Sequence, residues 1–338
     1  MSVIVALSAI AYSLLKLADF SLPFAARQQR QSRLTWAAKG GIQYLMEQLA
    51  GEEADPRLSG EERQLTVGAV PVAVAIEDEG SKVNVNSASE KLLLGLDLTR
   101  AQAETLLDWR DLDSDCLPEG AERDYYLAKT DLAPRDGLLP VKEELSLLPL
   151  WQDEKQLIAH QLTVYGPLNV NAMSYTAFDA LLAALDVDKF TSQAIVNDFI
   201  AAKATGQLFL DLESFFGCLP SLGPLLAQEL EGYLTAEPVV NVNTATARVL
   251  RAWCHYLDLD PALAGWIQSA RESAPFLDLT AIVSRLPAGK RSLFSLFFTT
   301  RSRVFALTAR AGSVRLRVVV EKREGELAIL SWQQGANE

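Results

Sequence analysis

The sequence contains the tripeptide Asn-Val-Asn three times, and each copy stands in the same local context. The copies begin at Asn84, Asn169 and Asn241. Each is followed closely by Ser or Thr and then by an amphipathic run, "SASEKLLLGL", "AMSYTAFDALLAAL" and "TATARVLRAWCHYL". Ser and Thr in this place cap helices, because their oxygens accept hydrogen bonds from the free amides of the first turn. The repeat predicts three extended segments that each lead into a helix.

The central valines and the flanking asparagines have different predicted roles. In extended backbone, successive side chains point to opposite sides, so the valine points one way and both asparagines the other. We expect Val85, Val170 and Val242 to fill hydrophobic cores. The asparagine side chains can hydrogen-bond to neighbouring backbone groups. The repeat is thus interpreted first as a structural device.

Two blocks of alternating apolar and polar residues flank the repeats. "QLTVGAVPVAVAIEDE" precedes them, and three short alternating runs punctuated by Gly312 and Gly325 follow them. Period-two alternation indicates strands with one buried face. We predict that residues 62–86 and 300–333 form one antiparallel sheet, with residues 87–298 inserted as helix and loop. The fold class is then α+β, with a large all-α insertion of the helix-hairpin-helix or SAM-like type.

The N-terminal stretch is the longest apolar run of the chain. The first 15 residues carry no charge, Lys16 and Asp19 follow, and the apolar character continues to Ala26. A span of about 20 apolar residues is enough to cross a bilayer, so we predict a membrane helix in which Lys16 and Asp19 are paired. A buried helix of a soluble domain is the alternative. The helical pattern continues as an amphipathic helix to Gly51, which gives one long helix over residues 1–50.

Composition excludes several functional classes. Lys and Arg total 31 against 43 Asp and Glu, which gives a net charge of −12 and an acidic pI that repels polyanions such as nucleic acid. The three cysteines have no metal-site spacing, although Cys218 and Cys254 could form one disulfide. His160 and His255 stand apart from any recognisable nucleophile. We therefore predict that the chain is not an enzyme.

The NVN openings are also similar to those of helix-hairpin-helix DNA-binding modules, of the kind found in competence-type envelope proteins. Such modules bind phosphate through backbone amides in the turn after the first helix. In this sequence those turns carry or border acidic residues. They are Asp97, Asp186, Asp188, Asp258 and Asp260. Like charge opposes phosphate there, so DNA binding is the weaker alternative.

The segment of residues 104–124 is strongly acidic. It holds eight acidic residues and two arginines, so half of the net charge of the chain lies in 21 residues. Asp111, Asp113, Asp115 and Glu122 take the first, third, fifth and twelfth places of an EF-hand-like loop. Dense carboxylates suit a hard cation such as Ca²⁺. We predict a structural site for one or two calcium ions, with Asp124 as a further ligand.

This loop departs from the EF-hand pattern at one position. The sixth place is Cys116, where the sharp turn of an EF-hand normally requires glycine. The main-chain carbonyl of Leu117 is expected to complete the oxygen shell. A solvated acidic loop without a bound ion is the alternative.

The run from residue 106 to 148 resembles the minor pseudopilin K (GspK) family of type II secretion systems. Members carry a DW-x-D-x-D stretch, a GAE-x-D-x-Y stretch and an EL motif. The matching residues are Asp108, Trp109, Asp111, Asp113, Gly120, Ala121, Glu122, Asp124, Tyr126, Glu144 and Leu145. The order of N-terminal helix, strands, split helical insertion and terminal strands resembles the family over the whole chain. Val5 stands where pilin-like subunits usually have glutamate, and this family is the pseudopilin that lacks that acid.

The resemblance implies a non-catalytic assembly protein. It implies a subunit at the pseudopilus tip that starts polymerisation with minor pseudopilins I and J, through its N-terminal helix and sheet, and supports protein export across the outer membrane. It further implies contact with the type II secretion assembly platform and a single-pass location in the bacterial inner membrane, with the bulk of the chain in the periplasm. We expect the short basic leader of the family either to have been removed already or to be missing because the start of the sequence is misplaced.

Overall fold

The computed structural model describes the chain in two compact units. One unit comprises residues 1–77 and 305–338, and the other comprises residues 78–304. Within these bounds, the described residues are 2–51, 60–129, 132–148, 158, 160–323 and 326–336. Side chains are described only in part for residues 2–22, and that of Asp19 lies outside the description, as does the predicted turn residue Gly325.

The first unit combines one long helix with one sheet. The helix is a single element of 49 residues and ends at Ala50, directly before the predicted terminator Gly51. The elements are α1 (Ser2–Ala50), β1 (Arg63–Val67), β2 (Val70–Asp78), β9 (Val304–Ala311), β10 (Val314–Arg323) and β11 (Glu326–Ala336).

The five strands form one sheet in the order β1-β2-β9-β10-β11. The neighbours β2 and β9 come from the two ends of the chain, so the prediction that two distant alternating blocks share one antiparallel sheet is confirmed. Its boundaries differ from the predicted ones, because β11 continues to Ala336, beyond the predicted end at residue 333, and other residues leave the sheet. Residues 79–86 and 300–303 leave this sheet, because the chain turns at Glu79–Ser81 into a short 3-10 helix and then pairs elsewhere.

The core of the first unit lies between α1 and one face of the sheet. Along β2 the residues Val70, Val72, Val74 and Ile76 alternate as buried positions, as period-two pleating requires. Gly41 of α1 sits against this face, where an added Cβ would meet Val72 and Val74 methyl groups at 3.0 Å. A small residue therefore allows the helix to approach the sheet closely.

The prediction of a single-pass inner-membrane protein, with its bulk in the periplasm, is wrong for the described residues. No helix among them combines the length and the apolar character needed to cross a membrane. The helix α1 is long enough, but its N-terminal half includes Lys16, Asp19, Pro23 and several serines. Charged side chains such as that of Lys16 are costly in the hydrocarbon core of a bilayer.

The second unit contains three tandem repeats that begin and end with two-residue strands. The first repeat spans residues 83–163, the second 168–235 and the third 240–299. Their strands are β3 (Val83–Asn84), β4 (Leu162–Thr163), β5 (Leu168–Asn169), β6 (Leu234–Thr235), β7 (Val240–Asn241) and β8 (Phe298–Thr299). Their helices are α2 (Glu90–Gly95), α3 (Arg100–Arg110), α4 (Arg123–Lys129), α5 (Tyr175–Ala184), α6 (Lys189–Ala204), α7 (Leu212–Phe216), α8 (Pro224–Leu230), α9 (Ala247–Tyr256), α10 (Ala262–Ser273), α11 (Thr280–Val283) and α12 (Ala288–Ser295), with a further 3-10 helix at Lys142–Leu147.

Each repeat is closed by a parallel pair of its first and last strands. The pairs are β3 with β4, β5 with β6 and β7 with β8. The distance along the chain from the first residue of a closing strand to the first residue of the next strand is the same in all three cases. These pairs of first residues are Leu162 and Leu168, Leu234 and Val240, and Phe298 and Val304. The insertion was predicted to be all helix and loop, and these short strands are the correction. Two-residue strands are too short to show period-two alternation.

The three repeats share two hydrophobic cores. Apart from Ala172, the buried residues of one core come from the first and third repeats, and the other core belongs to the second repeat. Helices α2 and α9 approach closely at Gly95, where a Cβ would lie 2.8 Å from the Ala252 Cα. Reciprocal ion pairs join the same two repeats: Lys91 with Asp258, and Arg248 with Asp97. The first and third repeats are thus packed against each other, although the second repeat separates them in the sequence.

Candidate metal site in the first repeat

The first asparagine of each NVN copy makes a local turn. The backbone amide two residues ahead donates to the Oδ1 of Asn84, Asn169 and Asn241, at 2.9, 2.9 and 3.0 Å. An Asx turn of this kind redirects the chain out of the short strand. The three copies therefore leave their strands in the same way.

The second asparagine of each copy bridges to a distant backbone segment. Its side chain donates to the backbone carbonyl of one distant residue and accepts from the backbone amide of that same distant residue. This holds for Asn86, Asn171 and Asn243. The partners are Leu139, Phe209 and Phe276, at 2.8 or 2.9 Å for every bond. Only a side-chain amide offers a donor and an acceptor with this spacing. Asparagine therefore hydrogen-bonds to backbone as predicted, but the partners of the second asparagine lie 53, 38 and 33 residues away along the chain.

The remaining predictions for the repeat are also confirmed. Val85, Val170 and Val242 are fully buried. The helices that follow begin at capping hydroxyls, which accept from the backbone amide three residues on. The caps are Ser89, Ser174 and Thr246.

The turn after each capped helix carries an aspartate in the left-handed region. Asp97, Asp186 and Asp258 have φ values of 64°, 56° and 53°. Aspartate tolerates this conformation better than most residues. These carboxylates occupy the turns in which a DNA-binding module would present amides to phosphate, so the local charge opposes that chemistry.

A basic residue on the second helix of each repeat anchors the NVN turn. Arg110 donates to the carbonyls of Val85 and Ala88, and Arg271 donates to the equivalent carbonyls of the third repeat. Lys203 donates to the Asn171 carbonyl at 2.6 Å. The sequence reasoning missed these residues, because a single basic residue in a helix gives no signal until its partner is known.

In the first repeat the anchoring arginine directly precedes the predicted ligand Asp111. Helix α3 ends at Arg110, whose guanidinium is fully buried, and Asp111 is its C-cap residue. Burial lowers the pKa of Arg110 to about 10, so the group remains charged at neutral pH. The backbone position of Asp111 is thereby tied to the NVN turn.

The structure brings three of the five predicted ligands together. One carboxylate oxygen from each of Asp111, Asp113 and Glu122 lies within 4.8 Å of the others. Asp111 and Glu122 are buried, and Asp113 is exposed. Asp115 and Asp124 are exposed and are not in this group. The Asp115 amide instead donates to Asp113 Oδ1 at 2.9 Å and fixes the turn that presents Asp113.

The electrostatics of this group favour either protons or a cation. Burial, with added repulsion from Asp113, Asp108 and Glu122, raises the pKa of Asp111 to about 8. Burial and the nearby Asp108 raise the pKa of Glu122 to about 7. Asp111 Oδ1 and Glu122 Oε1 are buried and have no hydrogen-bond partner among the described residues. Buried polar atoms are rarely left in this state, so the two oxygens are available to a ligand.

A second ring of contacts shapes the loop around these carboxylates. Asp108 accepts the amide of Leu117, and burial raises the pKa of Asp108. Gly120 packs on the same carboxylate so closely that a Cβ would overlap Asp108 Oδ2. The Leu117 carbonyl, proposed above as a ligand, accepts the Gly120 amide at 3.0 Å. The Asp108 carboxylate therefore holds the loop in place through its contacts with Leu117 and Gly120.

The donor set fits a hard divalent cation. Carboxylate oxygens are the ligands that Ca²⁺ and Mg²⁺ prefer, whereas zinc sites usually include sulfur or imidazole. Cys116 is exposed, its Sγ donates to the Leu117 carbonyl, and partial desolvation, followed by the nearby carboxylates, raises its pKa. A thiol held protonated is a poor metal ligand. The residues present therefore suit Ca²⁺, with Asp111, Asp113 and Glu122 as the groups that would hold it.

The other residues of the predicted motif surround the same loop. Trp109 and Tyr126 meet edge to face with ring centroids 5.0 Å apart. Glu144 forms a bidentate ion pair with Arg135, and Leu145 is buried in the core. The motif thus describes one folded segment.

A solved structure has a similar fold. It is a chain of the GspK-GspI-GspJ complex from the type 2 secretion system of enterotoxigenic Escherichia coli. The alignment covers 92% of this chain and 99% of that chain, with a TM-score of 0.51 and 13% sequence identity. The fold is GspK-like. The predicted α+β class, with its pilin-like helix and antiparallel sheet, is confirmed with it.

The GspK-like fold is evident from structure rather than from overall sequence similarity. No protein-family model matches the sequence, and no curated protein is similar to it. At 13% identity most of the sequence is free to differ while packing and backbone hydrogen bonding are kept.

Cysteines and histidines give no sign of catalysis in the described residues. Cys116, Cys218 and Cys254 are all free thiols, so no disulfide joins the last two. His160 and His255 are both exposed. A general base normally needs a positioned partner within hydrogen-bond reach, and a solvent-facing histidine lacks the enclosure that such a site provides.

Proposed function

We propose that this chain is a minor pseudopilin of the GspK type, which starts pseudopilus assembly at the tip and supports protein export across the outer membrane without catalysis. The single observation that carries the proposal is the similarity to a chain of the GspK-GspI-GspJ complex over almost the full length of both chains. The proposed partners are minor pseudopilins of the I and J types and the assembly platform of the same system.

The N-terminal residues and the insertion support a tip position. Val5 is exposed and uncharged, in a place where the resemblance expects the glutamate of other subunits. In pilin-like filaments that carboxylate is thought to pair with the N-terminus of a neighbour, so a subunit without it suits an end. The inserted unit of residues 78–304 adds bulk that further subunits would have to pass.

Co-purification tests this proposal. The full chain is co-expressed with the I- and J-type subunits encoded in the same genome, and a stable complex is the expected result. Deletion of the gene should abolish export of proteins to the medium, and the unmodified gene should restore it. A chain that forms no complex and whose deletion leaves export unchanged would contradict the proposal.

We also propose a structural calcium site at Asp111, Asp113 and Glu122. Three carboxylates within 4.8 Å of one another repel unless they are protonated or coordinated. A bound ion stabilises the folded state by RT ln(1 + [L]/Kd), which is about 2.7 kcal/mol at a hundred times Kd. The role is structural, since the ion would rigidify the loop between α3 and α4.

Calcium titration and thermal unfolding test the site. Millimolar Ca²⁺ should raise the melting temperature of the full chain, and Asp113→Asn with Glu122→Gln should remove that shift. Asp115→Asn with Asp124→Asn is the matched control, because it removes the same charge from the same segment but outside the group of three. Loss of the shift in the control would indicate the larger ligand set predicted from sequence. Absence of any calcium effect on the unmodified chain would overturn the site.

Nucleic acid is not a proposed partner. The chain has a net charge of −12, and the turns that would face phosphate hold Asp97, Asp186 and Asp258. Non-specific binding to DNA depends on releasing counterions through Lys and Arg contacts. A salt-dependent gel shift with duplex DNA would contradict this part of the proposal.

A further inference from the structure

The two edge strands of the sheet in the first unit differ in how they are protected. β1 has five residues and begins with Arg63. β11 has eleven residues, and Glu326 at its start is its only charged residue. Natural sheets usually protect an exposed edge with a short strand, a charge or a proline. β1 follows that rule, whereas β11 is long and almost uncharged.

The outer side of β11 has no strand neighbour in the described part of the chain. In the sheet order β1-β2-β9-β10-β11, β11 pairs with β10 alone. Alternate backbone amides and carbonyls of an edge strand point away from its neighbour. A helix cannot satisfy such a row, because its own backbone groups are already paired. A protein partner that pairs with this row must therefore be another extended segment.

Exposed apolar side chains lie along the same strand. Ile329 is 52% exposed and Trp332 is 45% exposed. They stand directly opposite Val320 and Val318, which are buried in the core with α1. Opposite residues of an antiparallel pair share one face, so Ile329 and Trp332 continue the apolar face of the sheet beyond its buried part.

We propose that β11 binds an extended segment of a partner pilin-like subunit by strand addition. This inference rests on the proposed function and adds to it the surface that the partner uses. The partner strand would pair with the free backbone groups of β11. The Cβ atoms of its alternate apolar residues would lie about 4.5–5.5 Å from the Cβ atoms of Ile329 and Trp332. The expected segment is uncharged at its centre, since residues 327–335 offer no charge to pair with.

The register of β11 limits how long this pairing can be. A register shift between Val319 and Val320 leaves Leu330 without a direct partner in β10. Such an irregularity bends and twists a strand. The regular run from Ser331 to Ala336 is the stretch that best fits an added strand, and Trp332 is its exposed apolar residue.

Amide hydrogen exchange on the full chain tests the proposal. The probes are the I- and J-type subunits encoded in the same genome. We expect alternate β11 amides to exchange at least tenfold more slowly when the partner is added, whereas the amides of β1 are unchanged. Trp332→Lys should weaken the partner at least tenfold, and Thr66→Lys places the same charge on the opposite edge as a matched control. Circular dichroism confirms that both variants remain folded.

The possible outcomes separate this inference from the proposed function. A partner that binds while β11 amides exchange as fast as before overturns the strand addition and leaves the proposed function intact. Protection that grows with the concentration of this chain alone indicates a second copy and also overturns it. Failure of the unmodified chain to bind either subunit overturns the proposed function itself. If Trp332→Lys does not fold, exchange in the unmodified chain still decides the question.

Discussion

Asp78 Oδ2 accepts a hydrogen bond from Ser302 Oγ at 2.7 Å, although 224 positions separate the two residues in the sequence. Asp78 is the first residue of the second unit, and Ser302 lies two residues before its end. The same oxygen accepts from Asn241 Nδ2 at 3.0 Å and from Thr244 Oγ1. The two ends of the inserted unit are therefore held together by side chains, with the third NVN copy as part of the connection.

Removing the Asp78 carboxylate should destabilise the second unit. Asp78→Ala leaves the hydroxyls of Thr244 and Ser302 and the amide of Asn241 without this acceptor, and unsatisfied buried groups typically cost about 1–3 kcal/mol each. Because these losses overlap, we expect a total of about 2–4 kcal/mol in the free energy of unfolding. Urea unfolding measures it, with Ser295→Ala on the exposed surface as a control that should change little. An effect no larger than that of the control would show that the carboxylate is not what closes this unit.

The second asparagine of each NVN copy should contribute strongly to the free energy of unfolding. Asn171→Ala removes two backbone hydrogen bonds with Phe209, so we expect a loss of about 2–4 kcal/mol in unfolding free energy. Asn171→Asp should also destabilise, because a carboxylate cannot donate to the Phe209 carbonyl. Asn197→Ala, at an exposed helical position, is the control. Equal melting temperatures for Asn171→Asp and the unmodified chain would contradict this account.

Two glycines that look alike in sequence should respond oppositely to alanine. A Cβ at Gly120 would overlap the Asp108 carboxylate, whereas a Cβ at Gly289 in α12 would have no described atom within 4 Å. We expect Gly120→Ala to destabilise by about 1–3 kcal/mol through overpacking. Gly289→Ala should be neutral or stabilising by up to about 1 kcal/mol, because alanine favours helix. Thermal unfolding of both variants makes the comparison, and a neutral Gly120→Ala would show that the loop can move away from Asp108.

Lys203 should give the second repeat a characteristic pH dependence. Its burial lowers the pKa to about 8, against about 10.4 for an unfolded lysine. Between these values the unfolded chain binds more protons than the folded chain, so stability rises with pH, by at most about 1.4 kcal/mol per unit. The cost of burying the charge is fully present below pH 8 and is relieved towards pH 10.

Lys203→Met supplies the reference for that measurement. The difference in unfolding free energy between the unmodified chain and the variant should shift in favour of the unmodified chain from pH 8 to pH 10. Other groups titrate equally in both proteins and cancel in the difference. A difference that is constant over this range would mean that the folded chain leaves the Lys203 amine solvated.

The sequence by itself determined the features that depend on neighbouring residues. The Ser and Thr caps, the buried central valines and the aspartate turns follow from chemistry within a few positions, and the structure confirms them at Ser89, Val85 and Asp97. Period-two alternation predicted the strands for the same reason, since the pleat of a strand is a local property. The acidic run likewise marked the one segment in which the described carboxylates gather.

Only the tertiary structure decided which distant groups meet. The strand pairs that close each repeat, the bridge from Asn86 to Leu139 and the anchor from Arg110 to Val85 join segments far apart in the chain. No local pattern encodes such a partner, because a two-residue strand or a single arginine has the same sequence whether or not it is paired. The same holds for the ligand group, in which Glu122 joins Asp111 and Asp113 while Asp115 and Asp124 point to solvent. Spacing lists the carboxylates that could converge, but the path of the backbone, fixed here by Asp108 and Gly120, selects those that do.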